Sequence, residues 1–271
     1  MNRDRQMRLR RLVAGRRGGV VADRLATLAR FYLVGYENLD WDAASNGEHH
    51  LLDVVLATRR APVVIDVGAN LGEWTAAVRR RAPGATVHAI EVVPALAADL
   101  TSRFDGDERV TVHALGLAER TGTVRVAYDP HRPELSRLVA DDDVDGTVDA
   151  VTTTGDALLG SIGAPRIDLV KIDAEGFDRE VLAGFAATLA ARAIDIIQFE
   201  YSRAATARGI TLGSLYDLLV PAGYLVGKLL PSGVGFGAYS AQRDEDFPGL
   251  NYVAVRGDDA TLAAALRPSR R

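Results

Sequence analysis

The 271-residue sequence contains no cysteine, and its only lysines are Lys171 and Lys228. The lack of cysteine excludes disulfides, thiolate metal sites and cysteine nucleophiles. No apolar run approaches the roughly 18 residues that a membrane span requires. The basic N-terminus is not followed by the continuous apolar stretch of a secretory signal. These absences lead us to expect a cytoplasmic protein without a transmembrane segment.

An excess of positive charge is also missing, since 36 acidic residues outnumber 32 basic ones and give a net charge of −4. Nucleic-acid-binding domains usually carry the opposite sign, so we expect no nucleic-acid partner. Positive charge is concentrated in the first 17 residues, in Arg3, Arg5, Arg8, Arg10, Arg11, Arg16 and Arg17. Such a run is typical of a solvated extension, and apolar spacing over Val20–Leu33 favours a helix after it. We divide the chain into a basic, helical extension (1–45), one main domain (46–257) and a C-terminal tail (258–271).

Short apolar runs alternate with helical patterns through the main domain. The runs are rich in β-branched residues and cover Val63–Val67, Thr86–Ile90, Val110–Ala114, Ile167–Ile172 and Ile194–Phe199. The predicted helices are Glu48–Thr58, Glu73–Arg81, Ala95–Phe104 and Asp178–Leu189. This alternation predicts an α/β fold with a mostly parallel, doubly wound sheet and helices on both faces.

Two strand-like runs, Gly223–Leu230 and Asn251–Val255, end the domain with no convincing helix between them. They favour an antiparallel pair, because a parallel pair needs a long crossover. A parallel sheet that ends in an antiparallel hairpin is the layout of the Rossmann-like class I methyltransferase fold. The segment Thr121–Asp149, which includes the acidic residues Asp141, Asp142, Asp143 and Asp145, is predicted to cover the site as a loop or flap.

The strongest local signal is the glycine loop Asp66-Val-Gly68-Ala-Asn70-Leu-Gly72, which joins the first predicted strand to a helix. Glycines permit backbone geometry and close ligand approach that a Cβ would obstruct. A strand, glycine loop and helix place their ligand at the carboxyl edge of the sheet. Asp66, Gly68, Asn70 and Gly72 are therefore candidate cofactor-binding residues.

The acidic residues around this loop discriminate between nucleotide ligands. A dinucleotide fingerprint needs further glycines, but the sequence has Asn70 and Glu73 at those positions. A pyrophosphate would also be repelled by Asp66 and Glu73, whereas S-adenosylmethionine carries an ammonium and a sulfonium instead of phosphates. Glu91 ends the second strand, where a carboxylate can bind ribose hydroxyls. A nicotinamide enzyme and a purely structural turn are the alternatives.

A second acidic edge follows two later strands, with Asp173 and Glu175 after one and Glu200 after the next. Neighbouring parallel strands would bring these carboxylates to one edge. Three roles are open: Asp173 and Glu200 bind Mg²⁺, one of the acids acts as a general base, or Lys171, Asp173 and Glu200 form a structural ion network. His131, in the predicted covering loop, is a further catalytic candidate because its imidazole could reach a substrate hydroxyl. His88 and His113 are interpreted as packed strand residues.

Several segments together resemble the FkbM family of S-adenosylmethionine-dependent O-methyltransferases. They are VVIDVGANLGEWT (63–75), HAIE (88–91) and LVKIDAEGFDREVLAG (169–184), with weaker matches at NGE (46–48) and NYVAV (251–255). The resemblance implies a class I fold, transfer to a hydroxyl oxygen of sugars, glycans or polyketide-derived alcohols, and a donor site that includes Glu91. Asp173 and Glu200 are also similar to the ligand pair of magnesium-dependent O-methyltransferases, although Tyr201 follows instead of a third ligand.

We therefore expect an O-methyltransferase whose acceptor is a sugar, an oligosaccharide such as a mannoside or deoxysugar, or a glycosylated natural product. S-adenosylmethionine is the expected cofactor, and Mg²⁺ and a homo-oligomeric state are left open. The alternatives are methylation of a polyketide-type hydroxyl and, in another class, a non-catalytic nucleoside-binding module that regulates a partner.

Overall fold

Eight strands form the central sheet of the computed structural model, which describes residues 3–128, 137–139, 147–245 and 251–268. In chain order the strands are β1 (Val63–Val67), β2 (Thr86–Ile90), β3 (Val110–His113), β4 (Gly116–Leu117), β5 (Gly122–Ala127), β6 (Arg137–Val139), β7 (Thr147–Thr153), β8 (Ile167–Ile172), β9 (Ile194–Glu200), β10 (Tyr224–Leu230), β11 (Gly233–Phe236) and β12 (Asn251–Arg256). The helices are α1 (Arg3–Ala14), α2 (Val20–Tyr36), α3 (Glu48–Leu56), α4 (Glu73–Arg81), α5 (Pro94–Arg103), α6 (Gly155–Ile162), α7 (Asp178–Ala183), α8 (Ala186–Ala190), α9 (Arg203–Ala207), α10 (Leu212–Leu219), α11 (Ala241–Asp244) and α12 (Ala260–Leu266).

The strand order of the central sheet is β3-β2-β1-β8-β9-β12-β10-β11. Strands β3, β2, β1, β8 and β9 run parallel, and β12 is antiparallel to both β9 and β10. The predicted class I methyltransferase fold and its terminal antiparallel pair are thereby confirmed. The sequence did not predict β11, which pairs with β10 and forms the edge of the sheet.

Both faces of the parallel strands are buried, as their continuous apolar sequences require. On one face, α3 and α4 pack Leu52 and Val78 against Val64 of β1 and Leu169 of β8. The residues after Gly257, set apart as a tail on sequence, include α12, whose Leu262, Ala263 and Leu266 are buried in the same cluster.

The segment after β3 forms a second sheet, with the order β4-β7-β5-β6, rather than the predicted loop or flap. Val126 of β5 and Ala150 of β7 are buried against Val93 and Leu96. Alternate residues of both strands therefore contribute to one apolar layer, which a loop could not form. His131 and the acidic residues at 141–143 and 145 lie outside the described residues.

The helix predicted over Asp178–Leu189 is two helices, α7 and α8, separated at Gly184 and Phe185. Phe185 is fully buried, and a Cβ on Gly155 would collide with its ring. The carboxylate of Asp156 accepts hydrogen bonds from the backbone N–H groups of Ala187 and Thr188, both at 2.9 Å. Asp156 of α6 thus caps the N-terminus of α8, and nothing in the sequence near α8 indicates that a new helix begins there.

The chain divides into two compact units, residues 1–41 and 42–271. The first contains α1 and α2, and no residue of either helix is buried. No described helix is long and apolar enough to cross a membrane.

Candidate functional site

The glycine loop after β1 is held between the ends of β2 and β8. The backbone N–H groups of Gly68 and Ala69 both donate to the carbonyl oxygen of Ile90 at 3.0 Å. Gly68 has a φ of +77°, and a Cβ there would collide with the backbone carbonyl oxygen of Asp173. Asn70 also has a positive φ, +47°. Only a residue without a side chain fits at Gly68, so the tight loop predicted from the sequence is present.

Glu91 is fixed at the end of β2 by two backbone donors. Its Oε2 accepts from the N–H of Asn70 at 2.8 Å, and its Oε1 accepts from the N–H of Val93 at 2.9 Å. Burial raises the pKa of Glu91, and these two hydrogen bonds oppose that effect. Each carboxylate oxygen keeps a second lone pair, so a rigid acceptor faces the cavity described next.

A cavity of about 480 Å³ opens beside this loop, at the carboxyl edge of the parallel strands. One wall comes from the β2 side and the second sheet, with Glu91, Leu117 and Val126 among its residues. The opposite wall comes from α3, α4 and the end of β8, and its charged or polar residues are Glu48, His49, Glu73, Arg80, Lys171, Asp173 and Glu175. Gly68 and Asn70 line the cavity between the two walls. Three of the predicted donor residues, Gly68, Asn70 and Glu91, therefore share one cavity with Asp173 and Glu175 of the second acidic edge.

Asp66 lies beneath the loop and is fully buried. Its Oδ2 accepts a hydrogen bond from Thr75 Oγ1 at 2.7 Å, while its Oδ1 has no hydrogen-bond partner and lies 3.9 Å from Lys171 Nζ. Asp66 and Gly72 are not among the residues that line the cavity. Both support the loop from behind, since a Cβ on Gly72 would meet Leu100 of α5.

Lys171 is the buried cation of the site, with Nζ 3.0 Å from Asp173 Oδ2. Burial acts to lower the pKa of Lys171, but the negative charges of Asp173, Asp66 and Glu48 outweigh it and hold the pKa above its ordinary value. The ammonium is therefore permanently charged at neutral pH. The ion network that the sequence left open as a third role exists.

The carboxyl groups of Asp173 and Glu200 shift each other's pKa in opposite directions. Burial would raise the pKa of Asp173, but the charge of Lys171 and a hydrogen bond with Glu200 lower it. Burial and the charges of Asp173 and Asp178 raise the pKa of Glu200 to about 10. At neutral pH Glu200 is thus a neutral acid that donates to the ionised Asp173.

Glu175 has the pKa of a general base. It lies in the cavity wall with a φ of +48°, a backbone conformation that residues other than glycine rarely adopt. Burial and the charge of Asp173 raise the pKa of Glu175 to about 7. Asp178 accepts the N–H of Glu200 at 3.0 Å, and burial and the charge of Asp173 raise the pKa of Asp178 to about 8. Of these acids, only Asp173 and Glu175 line the cavity.

A hydrogen-bond network around Glu48 was not predicted as part of the site. Glu48 is 7% exposed, and it accepts from the side-chain amides of Asn46 at 2.8 Å, Asn251 at 3.1 Å and Gln198 at 2.8 Å. These donors come from the turn before α3 and from strands β12 and β9. The sequence signal was the NGE segment at 46–48, whose Gly47 has a φ of +105° and where a Cβ would collide with the backbone carbonyl of Leu230.

The predicted magnesium ligands, Asp173 and Glu200, stay a prediction. Asp173 contacts the Lys171 ammonium at 3.0 Å, and Glu200 is not among the residues that line the cavity. Within the described parts of the chain, no group of three or more His, Asp or Glu side chains could hold a metal ion.

The histidines on the sheet pair with each other outside the cavity. His88 Nδ1 and His113 Nε2 are 3.1 Å apart, so one ring nitrogen donates and the other accepts. Burial lowers the pKa of both rings. His49 lines the cavity, and His131 lies outside the described residues.

Comparison with known proteins identifies one family model, the Methyltransferase FkbM domain, which matches residues 66–226, more than half of the chain. The methyltransferase sdnD of Sordaria araneosa is 29% identical over 156 residues, and the match covers 45% of this chain and 60% of that protein. Methyltransferase 1 of Beauveria bassiana is 25% identical over 142 residues, with 45% and 57% covered. The chain thus spans less than two thirds of the length of either relative.

Among solved structures, an O-methyltransferase from Bacillus cereus in complex with SAH is similar with a TM-score of 0.43 and 13% identity. That match covers 85% of this chain and 91% of the other. A TehB-like SAM-dependent methyltransferase from Corynebacterium glutamicum is similar with a TM-score of 0.42 and 15% identity, and 87% and 98% of the two chains are covered.

Proposed function

Because the chain belongs to the FkbM methyltransferase family, we propose that it transfers a methyl group from S-adenosylmethionine to a hydroxyl oxygen of a sugar or oligosaccharide. The observation that carries this proposal is the cavity itself. It contains Glu91, a carboxylate held by two backbone hydrogen bonds, on one side of the glycine loop and Glu175, whose pKa is raised to about 7, on the other.

The cavity residues fit the donor. Glu91 offers acceptors for ribose hydroxyls, and Gly68 leaves room for close approach at the loop. Asn70 Oδ1 is buried in the wall without a partner, as expected of an atom that a ligand satisfies. Bound S-adenosylmethionine supplies an electrophilic methyl group on a cationic sulfur. The acidic groups around the cavity stabilise positive charge there.

Glu175 is the proposed base. A hydroxyl is a poor nucleophile until its proton is removed, and a base whose pKa lies near the working pH removes that proton most effectively. Burial and the charge of Asp173 keep the pKa of Glu175 near 7, and Lys171 in turn keeps Asp173 ionised. The role of His131, in the covering segment, stays a prediction.

The proposed acceptor is polar because the wall opposite Glu91 carries Glu48, His49, Asp173 and Glu175. Such groups bind several hydroxyls with defined geometry, whereas a flat apolar acceptor needs an apolar wall. The family resemblance also supports sugar, glycan or polyketide-derived acceptors.

A screen with isotope-labelled donor and mass-spectrometric detection tests the acceptor class. Sugars, glycosides, polyketide alcohols, catechols and peptides are offered to the full-length chain. We expect a gain of one methyl group on a sugar hydroxyl. Methylation of a polyketide alcohol alone would establish the alternative acceptor, and methylation of a peptide nitrogen alone would refute O-transfer. Binding of S-adenosylhomocysteine without turnover of any acceptor would favour a nucleoside-binding module.

The same assay tests the metal prediction. We expect full activity in exhaustively chelated enzyme, because Lys171 supplies the positive charge beside Asp173. Loss of activity on chelation and recovery with Mg²⁺ would instead assign Asp173 and Glu200 as ligands. The Glu200→Gln variant distinguishes the metal-free from the metal-dependent role of this pair. If Glu200 is a neutral acid, the amide replaces it with little effect on activity. If Glu200 is a metal ligand, the variant loses a carboxylate ligand and should lose activity.

A further inference from the structure

The first unit, residues 1–41, carries most of the exposed apolar side chains of the described chain. Among the described residues, 18 large apolar side chains are exposed, and 14 of them lie in this unit. The other four, Leu71, Val151, Val220 and Leu225, lie singly on the glycine loop, on β7, after α10 and on β10. Single exposed apolar residues are ordinary, whereas a concentrated patch marks an interaction surface.

Helix α2 has a continuous apolar stripe along one face. The members of this stripe follow one another at spacings of three or four residues, which places them on one side of a helix. They are Val21, Leu25, Leu28, Tyr32 and Tyr36. Each is between 61% and 73% exposed, and the rings of Tyr32 and Tyr36 stack with their centroids 5.9 Å apart. By the helical repeat, Asp23 and Arg30 lie on the opposite side. Helix α2 is therefore amphipathic, although neither side of it is buried.

The same unit is strongly basic. It contains nine arginines and four acidic residues, a net charge of +5, while the rest of the chain carries −9. Seven of these arginines precede α2, and the five within α1 are all exposed. Positive charge next to an exposed apolar stripe is typical of segments that lie on a membrane surface.

An anionic lipid surface complements both properties of the unit. Its phosphates and other negative head groups attract arginines, and the boundary of its acyl chains accepts an apolar stripe. Tyrosine rings are favoured at that boundary, because one end of the ring is apolar and the other is polar. A second copy of the chain fits less well, since two first units would bring like charges together. The described residues of the acidic second unit also offer no comparable apolar patch.

We propose that residues 1–41 bind the surface of a membrane that contains anionic lipids. The stripe of α2 lies among the head groups with Asp23 and Arg30 turned toward water, and the arginines of α1 contact lipid phosphates. Affinity for such a surface increases with the apolar area buried and with the electrostatic attraction. This inference does not depend on the proposed function, because the described lining of the cavity begins at Ala43.

Co-sedimentation of the full-length chain with lipid vesicles tests the proposal. One kind of vesicle contains phosphatidylglycerol and phosphatidylcholine in equal parts, and the other contains phosphatidylcholine alone. We expect binding to the first kind and binding about tenfold or more weaker to the second, because each arginine near an anionic surface contributes to affinity. High salt should weaken binding to the anionic vesicles, since it screens the attraction.

Two double variants separate the apolar from the electrostatic contribution. Leu25→Gln/Leu28→Gln removes the middle of the stripe and should weaken binding to anionic vesicles about tenfold or more, because the burial of two leucines is lost. Arg8→Gln/Arg11→Gln should weaken binding about tenfold and reduce its salt dependence. None of the four residues is buried, so both variants should keep the fold of the second unit.

Matched controls change the same kinds of residue in the second unit. Val151→Gln/Val220→Gln removes apolar side chains that are 58% and 51% exposed, and Arg60→Gln/Arg203→Gln removes two exposed arginines. Both should bind vesicles as the unmodified chain does. Equal affinity for the two kinds of vesicle, or an unchanged affinity of the leucine variant, would overturn the proposal. A dimer in light scattering that the leucine variant converts to a monomer, without vesicle binding, would instead assign the stripe to a second copy.

Discussion

At the scale of single residues, the site depends on charges that set each other's pKa. Asp173 contacts the Lys171 ammonium at 3.0 Å, and against the effect of burial Lys171 and Glu200 lower the pKa of Asp173. Its remaining negative charge acts on Glu175, which lies two residues further along the chain and lines the same cavity. The three acids therefore differ in protonation: Asp173 is ionised, Glu200 is neutral and Glu175 titrates near 7. Acid–base catalysis uses carboxyl groups whose pKa values are separated in this way.

The pH dependence of the rate tests this assignment. Glu175→Gln should lower kcat by about 10²–10⁴-fold, because the acceptor proton loses its destination, and should leave S-adenosylhomocysteine affinity unchanged. Asp173→Asn removes a charge that raises the pKa of Glu175, so that pKa falls. The acidic limb of the rate profile, near pH 7 in the unmodified chain, should then move to lower pH. Lys228→Met, at the other lysine, is the control. An acidic limb that disappears in Asp173→Asn would make Asp173 the base.

At the scale of elements, the site exists because two strand ends touch. The glycine loop after β1 and the chain after β8 meet at Gly68 and the carbonyl oxygen of Asp173. The second sheet adds the opposite wall through Leu117 and Val126. Helix α3 adds Glu48, which is tied by hydrogen bonds to β9 and β12. The cavity is thus a product of contacts between elements that are distant in the sequence.

Two glycine variants separate the effect of the contact from the effect of backbone conformation. Gly68 and Gly106 both have positive φ values, +77° and +80°, but a Cβ on Gly106 would meet nothing within 4 Å. Gly106→Ala should cost about 1–3 kcal/mol for strained backbone alone. Gly68→Ala should cost about 1–3 kcal/mol more for overpacking and abolish S-adenosylhomocysteine binding. Chemical denaturation and calorimetry measure both. Equal effects of the two variants would contradict the role of the Asp173 contact.

At the scale of the whole molecule, the cavity belongs to one of the two units. Its described lining runs from Ala43 to Phe177, within residues 42–271. The helices α1 and α2 bury no residue, whereas the first arginine after them, Arg59, is paired with Asp168 at 2.7 Å and with Asp195 at 3.1 Å. Protease susceptibility should therefore differ sharply between the two sides of residue 42.

Limited trypsin digestion tests this division. We expect cleavage after exposed arginines up to Arg30 and resistance at Arg59, which gives a fragment that begins at Phe31. This fragment should bind S-adenosylhomocysteine within about twofold of the intact chain, since it keeps every described residue that lines the cavity. Mass spectrometry locates the cut, and Arg30→Gln should shift it to Arg24. Early cleavage at Arg59, or loss of binding in the fragment, would show that the division is wrong.

Sequence reasoning alone predicted the parallel strands, the helices between them, the glycine loop and the acids at the strand ends. These features are local: apolar runs specify buried strands, and Gly68, Glu91 and Asp173 follow such runs directly. The tertiary structure was needed to show which acids are ionised, because the pKa of Asp173 depends on burial and on Glu200 of the neighbouring strand β9 as well as on Lys171 nearby in the sequence. It also decided that α7 and α8 are separate, since Asp156 caps α8 from another helix. The walls from α3 and the second sheet depend on long-range packing, which sequence spacing does not encode.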